Sequence, residues 1–178
     1  MTNLLAVLLL AAAPAPERDL VEIFRQVCMS GEARFAPGTV SPVEHGQLPA
    51  YFARYLAEAP AKGLGRVTDA SYYRIATGQV SGFLAVERRG AREPRPQTCS
   101  LTGRPLSFHA AVENLQGGAM AILPPVLRGG VNAWETSSPL GYVLRARVLA
   151  GGHVVLQSSS MSEKERRRLV RRLDQVGR

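Results

Sequence analysis

Lysine is nearly missing from this sequence: of 22 basic residues only Lys62 and Lys164 are lysine, and the other 20 are arginine. Cysteine occurs twice and tryptophan once. Two cysteines exclude a dense disulfide framework. Neither lies in a C-x-x-C or beside a histidine, which argues against a catalytic thiol. No apolar run exceeds the ten residues of Leu4–Ala13, about half the ~20 that a membrane-spanning helix needs. The motifs G-x-S-x-G, H-E-x-x-H and G-x-x-x-x-G-K are all missing. Gly63-Leu64-Gly65 lacks the third glycine and the preceding strand of a dinucleotide site. His45, His109 and His153 fall far apart, without metal-ligand spacing, so no metal and no cofactor is expected. Ser107 and His109 are two apart, which on a helix points them in different directions.

The 178 residues, 46% hydrophobic and 20% charged, suit one globular domain with a real core. The net charge is +8. Plentiful alanine, glycine and proline beside the arginine match GC-rich coding, so part of the basic content requires no function. A basic balance favours anionic partners such as membrane surfaces, acidic glycans or nucleic acid, without choosing among them.

Leu4–Ala13 reads LLAVLLLAAA, the apolar centre of a secretory signal followed by small residues suited to cleavage. Residues 1–15 are therefore expected to be a signal peptide, cut near Ala12, and 16–178 the exported domain. The segment before the run carries no lysine or arginine, and Pro14 and Pro16 hinder cleavage beside them. The alternative is a buried N-terminal helix. In an oxidising compartment Cys28 and Cys99 are expected to pair. The chain-entropy model values a loop of about 70 residues at roughly 4 kcal/mol. The alternative is two unrelated buried thiols.

Along the chain, Pro16–Cys28 is expected to be a helix, with Leu20, Ile23, Phe24, Val27 and Cys28 on its apolar side. Ser30–Pro49 reads as a loop, and Gln47–Ala59 as a second helix carrying Leu48, Tyr51, Phe52, Tyr55 and Leu56 on one face. Ser71–Ala76 and Val80–Arg88 have strand composition about a turn at Thr77-Gly78-Gln79. Arg89–Pro96 reads as a charged connection and Gln97–Thr102 as a strand carrying Cys99. Ser107 is placed to cap a helix to Gln116. Ala119–Asn132 is loop-like, and Val131–Thr136 is strand-like. In Tyr142–Leu149, apolar residues alternate with Arg145 and Arg147, predicting one buried and one solvated face. Ala150-Gly151-Gly152 then turns into His153–Ser158.

Ser162-Glu163-Lys164-Glu165 is a capping box, opening a final helix over 162–176. Leu169, Val170, Leu173 and Val176 cluster on one side of it, and Lys164, Arg167, Arg168, Arg171 and Arg172 on the other. From Glu163 to Arg178 seven basic and three acidic residues leave +4, half the charge of the chain. Such a helix can lie on an anionic surface. It can equally dock its apolar side on the sheet and leave the arginines in water. Nucleic acid is a poor partner for an exported chain, and aromatics interleaved with this stripe are missing.

Phe24-Arg25-Gln26-Val27-Cys28, Thr98-Cys99, Trp134 and Gly141-Tyr142-Val143-Leu144 together are similar to a group of small, uncharacterised exported proteobacterial proteins. The resemblance spans most of the exported part. It implies export and the disulfide, supplies no activity, and does not include the basic final helix. The expected fold is α+β: an antiparallel sheet of about five strands, packed against two or three helices and tied to the first by the cystine. The expected role is a non-enzymatic periplasmic or secreted binding protein meeting an anionic membrane surface or another envelope component. The alternative is a small envelope hydrolase assembled from scattered residues such as His109, Glu113 and His153.

Overall fold

A computed structural model of the chain describes residues 16–29, 38–58, 66–90, 97–116, 133–137, 141–161, 164, 166–168 and 171. The expected leader, 1–15, and much of the expected loops lie outside them. Within them are helix α1 (Pro16–Cys28), strand β1 (Val40–Val43), a 3-10 turn (His45–Gln47) and helix α2 (Ala50–Glu58). Strands β2 (Val67–Ala76), β3 (Ser81–Arg89) and β4 (Gln97–Arg104) follow, then helix α3 (Phe108–Leu115). Strands β5 (Ala133–Ser137), β6 (Tyr142–Val148) and β7 (Val154–Ser160) complete the sheet.

The α+β class stands, but the sheet has seven antiparallel strands, not five, in the order β1-β2-β3-β4-β7-β6-β5. Two meanders, β1 to β4 and β5 to β7, are joined where β7 pairs with β4. The strand missed in the sequence is β1, whose four residues include only two valines and a proline. As an edge strand with half its bonding groups facing outward, it tolerates Pro42 where a central strand would not.

Local signals set the turns. The Thr77 side chain accepts from the Val80 amide at 3.1 Å and closes the β2–β3 hairpin. Gly151 and Gly152 take φ of +81° and +76° between β6 and β7, a region that glycine enters without steric cost. Ser107 caps α3, accepting from the Ala110 amide at 3.2 Å.

Alternation along the paired strands assigns each side chain to one face. One face presents Ile75, Leu84, Cys99, Leu101, Leu144, Ala146, Leu156 and Trp134, and is covered by α1 and α3. Leu20, Phe24, Val27 and Cys28 of α1 are buried against it, as their spacing predicts. The Cys28–Cys99 disulfide forms here, with the Cα atoms 5.3 Å apart. The Ser158 hydroxyl donates to the Cys28 carbonyl at 3.2 Å. Arg25 of α1 donates to the Asn114 carbonyl, linking α1 to α3.

The second face, expected to be solvated, is covered in part, while Arg147 stays exposed. Leu48, Phe52, Tyr55 and Leu56 of α2 pack on Ala85 and Val155 there. Val143, on the same side of β6 as Arg145 and Arg147, is buried. Arg89, expected to open a charged loop, instead ends β3 as a buried residue.

Helix α1 approaches closely because β3 and β4 place Gly82 opposite Gly103. A Cβ on Gly103 would stand 2.7 Å from the Ser81 carbonyl oxygen and 2.9 Å from a Leu20 methyl. Gly103→Ala is therefore expected to overpack the α1 contact and cost about 1–3 kcal/mol, read from urea unfolding. An unchanged midpoint would show that α1 does not rest on this glycine pair.

Candidate functional site

The face beneath α2 concentrates the polar chemistry of the sheet. Strand register aligns its residues in rows. One row runs Tyr72, Ala85, Ser100, Gln157, Arg145, Glu135 from β2 to β5. The next runs Ala70, Glu87, Thr98, Ser159, Val143, Ser137. A third runs Arg74, Phe83, Thr102, Val155, Arg147, Ala133. Three properties distinguish this face: a buried ion pair, hydrogen-bonded hydroxyls, and one buried hydroxyl without a partner among the described residues.

Glu87 and Arg89 are two apart on one strand and so share a face. They pair at 2.7 Å with side chains only 6% and 10% exposed. Gln157 donates to Ser100 at 3.2 Å, and Thr102 donates to the Val154 carbonyl at 2.7 Å. Arg145 is engaged from two sides, donating to Glu135 at 2.8 Å and to the Ser159 hydroxyl at 2.8 Å. Thr98 is buried, and its hydroxyl has no hydrogen-bond partner among the described residues.

Tyr55 of α2 lies over this surface. Burial pushes its phenol up to about 12; the positive charges of Arg147 and Arg145 oppose the rise, and Glu87 adds to it. Tyr72 is also pushed up, by burial and then by Glu87. Beside Tyr55, the Tyr51 ring stacks on His153, with centroids 3.7 Å apart and planes 2° from parallel. His45 meets Tyr72 edge-on at 5.3 Å, and Arg74 lies over Phe83 at 5.8 Å.

The residues proposed from sequence are scattered around this centre. Lys164, Arg167, Arg168 and Arg171 are helical and exposed, as is Arg166. Arg172 and the apolar residues Leu169, Val170, Leu173 and Val176 lie outside the described residues. His109 and Glu113 share the exposed side of α3, while the His153 ring is engaged by Tyr51 of α2 on the opposite face of the sheet. The structure therefore does not bring the three together. Among the described residues, no group of three or more His, Cys, Asp or Glu side chains is placed to hold a metal ion, and no helix is long and apolar enough to cross a membrane.

Sequence reading missed the polar face. The spacing of Glu87 and Arg89, and of Arg145 and Arg147, is the signal that could have found it, because both pairs fall on one side of a strand. What that side meets depends on α2, which is remote in sequence.

Tyr55 carries a pH signature. Its folded pKa is raised from 10.0 to about 12, so the neutral phenol is favoured by folding. The stabilisation is complete below pH 10 and is lost as pH rises through 12. Urea unfolding between pH 9 and pH 12 should show roughly 2 to 3 kcal/mol of lost stability assignable to this group. Tyr55→Phe should flatten that part of the profile, and an identical profile in the variant contradicts the assignment. No family model, no curated protein and no solved structure matches the chain.

Proposed function

We propose that this chain is an exported, non-enzymatic binding module that meets an anionic envelope surface through its C-terminal helix. On this reading residues 1–15 are the leader, and 16–178 form one domain in the periplasm or outside the cell.

The observation that carries the reading is the exposure of Lys164, Arg166, Arg167, Arg168 and Arg171 on helical backbone. Positions 164, 167, 168 and 171 recur at three- and four-residue steps and so share one side of a helix. The segment from Glu163 holds half the net charge of the chain. Basic residues near an anionic bilayer are worth about 1 kcal/mol each and act within a Debye length. The Cys28–Cys99 bond supports the compartment, because disulfides persist where thiols are not kept reduced.

The test is flotation with phosphatidylglycerol vesicles. Binding is expected at low salt, falling steeply as salt rises. Replacing Arg167, Arg168, Arg171 and Arg172 with glutamine should remove roughly 1 kcal/mol of binding per residue. No binding at low salt, or binding untouched by the four substitutions, overturns the proposal.

A further inference from the structure

GC-rich coding accounts for how many arginines this chain has, but not for where they sit. The described charges divide unevenly between the two sides of the sheet. On the disulfide side they are Glu22, Arg25, Asp69, Arg88 and Glu113, three acids against two arginines. Both arginines are in ion pairs, Arg25 with Glu22 at 3.9 Å and Arg88 with Asp69 at 3.4 Å. On the other side, the sheet and α2 together carry six arginines against three glutamates. Arg89 and Arg145 take up Glu87 and Glu135. Arg54, Arg74, Arg104 and Arg147 are exposed, and no carboxylate among the described residues lies within ion-pair distance of them.

Register gathers three of these four at one end of the strands. Arg74 and Arg147 share the row of Phe83, Thr102 and Val155, and Arg104 stands opposite Ser81 in the next row. Strand β4 lies two strands from β2 and two from β6. With neighbouring strands about 4.8 Å apart, the Arg74 and Arg147 backbones stand roughly 19 Å from each other, with Arg104 between them. Helix α2 rests on Ala85 and Val155 between the outer two, and it carries Arg54 exposed to solvent. The exposed acids of this side lie toward the other end. Glu44 follows Val43, which pairs with Tyr72, and so falls beyond Tyr72 from Arg74. Helix α2 runs from Tyr51, 3.5 Å from the Thr102 hydroxyl, to Tyr55, within the fields of Arg147, Arg145 and Glu87, and Glu58 ends it farther on.

We infer that this arginine-rich end of the α2 side lies against the anionic bilayer, as a second contact besides the C-terminal helix. The inference rests on the envelope-surface reading and names the side of the domain that faces that surface. The outer arginines are set too far apart to share one small anion, so the partner must present anions over a comparable span. They flank a raised helix rather than line a groove, which fits a plane of lipid phosphates better than a single polyanionic chain. Among the described residues, Val67 is the one large hydrophobic side chain left exposed. The contact is therefore electrostatic and non-inserting, acts within a Debye length and is screened by salt.

Flotation of the oxidised full chain with phosphatidylglycerol vesicles tests it, together with arginine modification by p-hydroxyphenylglyoxal mapped by mass spectrometry. The combined substitutions Arg54→Gln, Arg74→Gln, Arg104→Gln and Arg147→Gln should keep the wild-type urea midpoint, because the four side chains are exposed and have no acid partner. They should lower the vesicle partition coefficient about a hundredfold or more at low salt. Asp69→Asn with Glu113→Gln makes the disulfide side more positive and should change it less than threefold. In the wild type, vesicles should protect Arg74 and Arg147 from modification and leave Arg88 of the disulfide side reactive, a readout independent of how any variant folds. If the wild type floats and the four α2-side substitutions change nothing, the C-terminal helix keeps its role and this inference fails. If those substitutions abolish flotation while the helix substitutions do not, the helix reading fails and this inference stands. No flotation of the wild type, or equal protection of Arg88, overturns it. Retention on immobilised alginate without vesicle binding gives the surface to an acidic glycan and overturns it as well.

Discussion

The bond between Cys28 and Cys99 fastens the last residue of α1 to the middle of β4, the fourth strand of a sheet seven wide. Much of the structure is arranged around that fastening. Leu20 and Phe24 lie along the same helix face and fill the sheet surface below it. The facing glycines Gly82 and Gly103 let the helix sit close enough for the sulfurs to meet. Ser158 of β7 holds the carbonyl of Cys28, so the join between the two meanders is tied to the helix as well. Helix α3 packs beside α1, with Arg25 reaching the Asn114 carbonyl across the contact. Closing 71 residues of chain lowers the entropy of the unfolded state, and the gain falls to the whole domain rather than to α1 alone.

The two faces of the sheet perform different work. The disulfide face is mainly apolar, apart from the buried Ser158 and Thr136, and provides burial. The α2 face mixes a small apolar patch with ion pairs and hydroxyls. Burying Glu87 with Arg89 adds little net stability, because desolvation offsets most of the attraction. Removing Arg89 would strand the buried Glu87 carboxylate, which makes the pair a constraint on how the α2 face is assembled. Most groups there are satisfied inside the protein. Against that background the buried Thr98 hydroxyl, without a partner among the described residues, stands apart.

Much of the fold was legible in local pattern. Helix α1 begins and ends where its apolar spacing places it, Ser107 caps α3, and the Gly151-Gly152 turn falls where the glycines do. These features are determined by residues close in sequence. The departures share the opposite cause. Strand β1 has too few apolar residues to signal itself and exists because β2 offers it a partner. Arg89 reads as a loop charge unless Glu87 is known to lie beside it in a dry place. Residues Arg145 and Arg147 look equivalent on an alternating strand, and only the neighbours contributed by β5 and β7 separate the half-buried, paired Arg145 from the exposed Arg147. The candidate site was therefore less readable than the fold. The residues that form it come from α2 and strands β2 to β7, and no motif links them.

The clamp of α1 onto the sheet is tested most directly by urea unfolding of the protein with its disulfide intact and after reduction, with reduction verified by alkylation and mass spectrometry. The account predicts a drop of about 4 kcal/mol on reduction, together with loss of hydrogen-exchange protection in α1 ahead of the central strands. Equal midpoints before and after reduction, with α1 as protected as β4, would contradict it.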